Sequence, residues 1–323
     1  MKIERPRACY KFTMYLPCTI GTGLLLALAV PPAAAQVRWK IEQPLSSRIT
    51  GNFADGRVDE SSGVAPSRRM PGVFWTHNDR GDGPLIYASD TTGAALGTFR
   101  VTGARNRDWE DISLGACRAT ATTCIYLADT GDNREKQKAV ALYRFPEPSL
   151  PVKHPRRTDD TQPAEVLQIR YSDGPHDVEA MWVAPNADVH LVTKGRSGPI
   201  RHYRVPASAW DSEKPVTAEL LDRLPIVLVS SEDFVTGAGL SPDGRTVAIR
   251  TYSTIYFFFT SRDGHLETPS EPLGCNVRRL GPQGEGVGWL DGRRVVLTSE
   301  RNLLRAGTIA VAECPLPVPV AQR

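Results

Sequence analysis

Beyond residue 36 the apolar positions fall in short runs separated by Gly, Asp, Asn and Pro, and no stretch sustains the 3.6-residue apolar period of a helix. The runs are self-similar. Five segments pair small or acidic residues with a following apolar one: Glu60-Ser61-Ser62-Gly63-Val64, Asp108-Trp109-Glu110-Asp111-Ile112, Asp177-Val178-Glu179-Ala180-Met181, Thr236-Gly237-Ala238-Gly239-Leu240 and Gln283-Gly284-Glu285-Gly286-Val287. Each is followed by an apolar run that ends in polar residues, at 73–79, 125–129, 190–194, 247–252 and 295–300. A third segment centres on Tyr87, Tyr143, Tyr203 and Tyr256, and on Leu304 in the last copy; a fourth, less regular, lies at 96–102, 166–171, 218–224 and 275–280. Copies spaced roughly 50 to 70 residues apart are the signature of four-stranded units repeated radially.

The pattern predicts an all-β fold, a β-propeller of four-stranded blades. Five copies favour five blades; residues 146–163 and 37–50 could hold strands of a sixth. Residues 308–314 have no partner in the fifth copy other than the N-terminal segment, so strands from both chain regions are expected to close the ring. Residues 36–323 form one domain on this reading.

Residues 1–35 read as a secretory signal. Lys2, Arg5, Arg7 and Lys11 precede an apolar run, and Ala33-Ala34-Ala35 offers a small-residue cleavage site. Pro17, Gly21 and Gly23 interrupt that stretch, which is shorter than a membrane span requires. Met14 is an alternative start that would discard the positive charges. Those four cations and Glu4 account for the chain's whole net charge of +3, so the exported part is formally neutral. This sets aside nucleic acid and anionic membrane as partners, leaving a small-molecule or cell-envelope ligand and a monomeric protein. An exported chain is secreted or periplasmic, where its four remaining cysteines are oxidised. Cys117 and Cys124 bracket a hairpin, which pairs them and leaves Cys275 with Cys314.

In an up-and-down blade the start of the first strand and the end of the second share one edge. Glu110, Glu179 and Glu285 are therefore predicted to approach one another where the innermost strands meet the channel mouth. Converging carboxylates raise one another's pKa or recruit a cation, and oxygen ligands with Asn78, Asp129 and Asp132 nearby suit Ca²⁺. The alternative is that the glutamates accept backbone hydrogen bonds or pair with Lys194 and Arg250. Asp129-Thr130-Gly131-Asp132-Asn133 resembles a cation-binding loop, although Asp, Gly and Asn also make ordinary turns. His176, Lys194, Arg250 and Glu300 share the face as candidate ligand contacts. No G-x-S-x-G elbow, H-E-x-x-H pair or phosphate-cradling glycine loop occurs.

Asp108-Trp109-Glu110-Asp111, Gly131-Asp132-Asn133, residues 236–244, Arg250-Thr251-Tyr252 and Gln283-Gly284-Glu285 together resemble a group of secreted bacterial β-propeller proteins. More remotely, the Glu-bearing strand starts are similar to those of phytase-like and gluconolactonase-like propellers. That resemblance implies a divalent cation, often Ca²⁺, in the channel; the family ligands of phytases and lactonases have no residue-by-residue counterpart here. Two function classes follow: a non-catalytic propeller that holds Ca²⁺ at its mouth for ligand binding or scaffolding, and a metal-dependent hydrolase of a phosphate ester or lactone.

Overall fold

In the computed structural model, which describes residues 37–117, 122–152 and 157–318, the repeated copies become antiparallel meanders. Strands are numbered in chain order. β1 (Lys40–Glu42) and β2 (Ser46–Gly51) come first. β3 (Ser61–Pro66), β4 (Val73–Asn78), β5 (Leu85–Asp90) and β6 (Ala95–Arg100) form the first sheet. The second is β7 (Asp111–Ala116), β8 (Thr123–Asp129), β9 (Val140–Pro146) and, after β10 (Thr158–Asp160), β11 (Glu165–Tyr171). The third is β12 (Val178–Val183), β13 (Val189–Thr193), β14 (Arg201–Val205) and β15 (Val216–Arg223). β16 (Val235–Leu240), β17 (Thr246–Thr251), β18 (Thr254–Thr260), the short β19 (Leu266–Glu267) and β20 (Leu273–Asn276) make the fourth. β21 (Gln283–Trp289), β22 (Arg294–Glu300) and β23 (Ile309–Glu313) are completed by β2.

The first strands of the five groups touch in a closed cycle, β3 to β7 to β12 to β16 to β21 and back to β3, which is the β-propeller arrangement. The outer strands add further ties. β11 pairs in parallel with β15, fusing the second and third groups into one eight-stranded sheet, while β10 edges β6 and β1 edges β20. The N-terminal β2 lies antiparallel to β23, from Ser46 opposite Glu313 to Gly51 opposite Ile309.

Burial follows this plan, because each sheet hides both faces against its neighbours. The buried apolar residues divide into clusters that each span two adjacent groups, such as Trp75, Ile86, Ile125 and Leu127 between the first and second, and Ala248, Phe257, Val287 and Leu297 between the fourth and fifth. Trp75, Trp109, Trp182 and Trp289 are all buried, and two of them also bond across a sheet boundary: Trp75 Nε1 donates to Glu147 Oε1 at 2.9 Å and Trp289 Nε1 to the Gly239 carbonyl at 2.9 Å. Packing between sheets accounts for the recurring tryptophans. Both disulfides form, Cys117 with Cys124 at the end of the β7–β8 hairpin and Cys275 with Cys314, which joins the fourth and fifth groups.

Several sequence expectations change. The third strand of the last copy is β23, not a segment around Leu304. Asn302 Oδ1 accepts from the Leu304 and Arg305 N–H groups to make a local turn, and Leu303 and Leu304 point into solvent. Residues 37–50 and 146–163 do hold strands, but β1, β2 and β10 complete or edge existing sheets. The fourth copy is out of frame by two residues: the residues paired at equivalent positions are Val64, Ile112, Met181, Ala238 and Val287, so Thr236, not Ala238, matches the glutamates. The signal at residues 1–35, with its cleavage site at Ala35, lies outside the described residues. None of the described helices is long and apolar enough to cross a membrane.

Candidate metal centre at the axial mouth

The five residues two positions before those paired residues are Ser62, Glu110, Glu179, Thr236 and Glu285. The pairing register slips beside four of them, in β3, β12, β16 and β21. A bulge turns a side chain out of the regular alternation, and here it is repeated around the axis. Adjacent members are tied together: Ser62 Oγ donates to the Glu110 carbonyl at 2.9 Å and Thr236 Oγ1 to the Glu285 carbonyl at 3.0 Å. One step further along, Asp111 closes the axis. Its Oδ1 accepts from the Ile112 N–H at 2.8 Å, and its Oδ2 from Met181 at 2.8 Å and Ala238 at 3.1 Å, so one carboxylate joins three sheets.

Around this floor, two sets of carboxylates come together. Asp79, Asp108 and Glu110 each offer an oxygen within 4.8 Å of the others, and so do Glu110, Asp177 and Glu179. Glu110 belongs to both sets. Gly131 lies directly over it, and a Cβ there would fall 2.1 Å from Glu110 Oε1. Lys194 Nζ reaches Glu179 Oε1 at 2.6 Å, and Gln283 Nε2 bridges Glu285 Oε1 at 3.0 Å and Glu300 Oε2 at 2.5 Å. Asp177 is fixed by the Asp132 N–H at 2.9 Å and Arg196 Nε at 3.3 Å. Asp108 Oδ1 is buried with no hydrogen-bond partner.

Burial dominates the electrostatics. It pushes Glu110 and Glu285 well above the usual carboxylate range, with Glu179 and Glu300 respectively adding repulsion. Burial raises Glu179 to about 7 against the opposing pull of Lys194 and a hydrogen bond from Glu110. It raises Glu300 to about 8 and Asp108 to about 6, each with help from Asp79. Lys194 stays charged, because Glu179, Tyr252 and Glu110 outweigh its desolvation. Without a cation, burial and mutual repulsion favour a shared proton in the Glu110–Glu179 pair, with Lys194 held against Glu179.

The residues fit a hard divalent ion. All donors in both sets are carboxylate oxygens, which suit Ca²⁺, and the unpartnered Asp108 Oδ1 is an acceptor that protein donors leave unfilled. Of the residues singled out from the sequence, Glu110, Glu179 and Lys194 meet here, while Glu285 and Glu300 are joined through Gln283 and belong to neither carboxylate set. Asp129, Asp132 and Asn78 serve the surrounding loops instead. Asp129 Oδ1 accepts from the Arg107 and Asp108 N–H groups, Asp132 Oδ2 from the Gln137 N–H, and Asn78 Nδ2 donates to the Arg57 carbonyl and to Asp82. Arg250 is buried behind the cluster, where Nη1 donates to the Gly286 and Thr298 carbonyls. His176 bonds Asp173 Oδ1 at 3.1 Å and stacks on Tyr203. Asp79, Asp108 and Asp177 are the site residues that the ligand set omitted; the repeated Asp-x-Glu spacing at the starts of the second and third groups carries the signal for the latter two, and nothing comparable marks Asp79.

No family model matches the chain, and no curated protein sequence does. Among solved structures, the PQQ-bound form of aldose sugar dehydrogenase from Streptomyces coelicolor is similar to this chain with a TM-score of 0.44 and 11% identity, over 83% of this chain and 98% of that one.

Proposed function

We propose that this protein is an exported, monomeric β-propeller that holds Ca²⁺ at its axial mouth and uses the loaded face to bind a small-molecule or cell-envelope ligand without transforming it. The observation that carries this reading is the pair of carboxylate sets sharing Glu110, with Asp108 Oδ1 left without a partner. Asp108, Glu110, Asp177 and Glu179 would hold the ion, and Asp79 would complete its outer side. Lys194 occupies one oxygen of Glu179, which limits the negative charge the ion meets.

Thermal unfolding of the signal-free protein in EDTA and then in millimolar calcium tests the reading. Calcium at a hundredfold excess over Kd stabilises by roughly 2.7 kcal/mol, and Glu110→Gln should remove most of that gain. An unchanged melting temperature together with no metal by elemental analysis would leave the carboxylates as structural acceptors.

A second reading, hydrolysis of a phosphate ester or lactone, is favoured by the position of Glu300, which Gln283 ties to Glu285 beside the cluster and which burial and the repulsion of Asp79 raise to about 8. A bound divalent ion would polarise the scissile group, and Glu300 would hand its proton to the leaving oxygen. Calcium-dependent turnover of model phosphate esters or lactones that falls at least tenfold in Glu300→Gln would favour it over pure binding.

A further inference from the structure

The third sheet carries a second chain of buried titratable groups, away from the axial mouth. His202 on β14 and Asp222 on β15 are register partners, and His202 Nδ1 lies 2.8 Å from Asp222 Oδ2. His190 on β13 follows, its Nδ1 2.8 Å from His202 Nε2. Asp222 also accepts from His265 Nδ1 at 2.7 Å and from the Leu266 N–H at 2.9 Å. Trp182 stacks against both buried imidazoles, with ring centroids 5.0 Å away in each case.

These contacts fix the tautomers. Burial alone would raise Asp222, but the bonds from His202, His265 and Leu266 hold its carboxyl at about 2, so it is ionised and can only accept. His202 must then carry its proton on Nδ1, which leaves Nε2 as an acceptor. His190 Nδ1 supplies the proton to that acceptor, and His190 Nε2 is left with a bare lone pair. Burial keeps both imidazoles neutral at physiological pH, with His190 lowered to about 3.

His190 is 2% exposed and lines a cavity of 340 Å³ between the third and fourth sheets. Gly264, at φ +88°, keeps the imidazole edge clear: a Cβ there would lie 2.9 Å from Cε1 and 3.6 Å from Nε2. The wall also presents Arg245 and Arg262, both exposed and without an ion pair among the described residues. Of the acids in the wall, Asp188 is occupied by the Ala207 N–H and Asn186, and Asp263 stands at the exposed rim.

We propose that this cavity is a separate ligand site for a small oxyanion that still carries a proton, of which hydrogen phosphate is the type, held by Arg245 and Arg262 and donating its O–H to His190 Nε2. A fully deprotonated oxyanion of the same shape, such as sulfate, brings lone pair against lone pair at that nitrogen and is rejected. The geometry thus assigns selectivity to the Asp222–His202–His190 chain and affinity to the arginines.

The test uses the signal-free protein in EDTA at pH 7.5, titrated with inorganic phosphate and separately with sulfate. Long-range ¹H–¹⁵N NMR follows His190. The expected result is an Nδ1–H tautomer whose Nε2 resonance moves with phosphate, and a preference over sulfate of roughly tenfold or more. His190→Phe, which keeps a ring against Trp182, should abolish the preference; Gly264→Val should abolish phosphate binding by closing the cavity. Wild-type protein that binds sulfate as tightly as phosphate, binds neither, or shows His190 protonated at Nε2 overturns the proposal whatever the variants do.

Discussion

At the residue scale, Asp111 and Glu110 are neighbours in sequence with opposite tasks. Asp111 spends both oxygens on three backbone N–H groups from three different strands, so it acts as a hub of the ring. Replacing it with Ala leaves those buried donors without an acceptor, at about 1 to 3 kcal/mol for each. Urea unfolding of Asp111→Ala should show a loss of about 3 kcal/mol or more, while Asp111→Asn, which keeps one acceptor oxygen, should lose less. Glu110 has few fixed partners and faces the shared centre of both carboxylate sets. Gly131→Ala tests that centre without replacing a carboxylate, because the new Cβ would fall 2.1 Å from Glu110 Oε1 and 2.6 Å from Asp108 Oδ2 and must displace both. Its expected phenotype is a protein that folds but has lost its calcium-dependent rise in melting temperature.

At the element scale, the two disulfides differ in what they enclose. Cys117 and Cys124 are 7 residues apart within one hairpin, whereas Cys275 and Cys314 are 39 apart and join two sheets. Chain-entropy reasoning gives about 2 kcal/mol for the first and about 4 kcal/mol for the second. Denaturant melts of Cys117→Ala/Cys124→Ala and Cys275→Ala/Cys314→Ala should rank in that order. This scale also shows what the sequence could reveal. Strand existence and the approach of Glu110 to Glu179 were legible, because a period of two and a repeated spacing survive in the residue string, whereas Glu285 joins neither carboxylate set. The frame of the fourth copy was not, since Leu240 looks like the apolar residue of the other copies and only the pairing register shows that Ala238 holds that place. Leu304 misled because an apolar residue in a turn looks like one in a strand until its backbone partner is known. Nor could the His190, His202, Asp222 and His265 chain be read, since its members are spread over 75 positions with no repeat to link them.

For the whole molecule, the buried histidines and carboxylates set opposite limits on the pH range of stability. Burial lowers His77 to about 4 and His190 to about 3, and His202 in the same direction. Each takes up a proton more readily unfolded than folded, so stability falls as pH drops below 6.5; His77 alone accounts for about 3 kcal/mol by pH 4. Glu179, at about 7, and Glu300, at about 8, hold protons in the fold that they lose when unfolded, so their contribution is present near pH 4.5 and is lost as pH rises through 8. In EDTA the melting temperature should therefore peak at weakly acidic pH and decline on both sides. Calcium, which would replace the protons of Glu110 and Glu179, should lift the alkaline side and leave the acid side unchanged. A pH scan of thermal melts with and without calcium checks both limbs.

The pairing of β2 with β23 brings together strands that are more than 250 residues apart in sequence, and β23 is the last of the described strands. Both edges of β23 are taken, by β22 on one side and β2 on the other, so the sheet has its full set of strands only when β23 is present. A product cut short by a premature stop or a protease then keeps the bare edge of β2, together with the unsatisfied flank of β21 and β22. Unpaired strand edges invite aggregation and cleavage, so deleting residues 308–318 should make the protein far more susceptible to limited proteolysis than the intact chain.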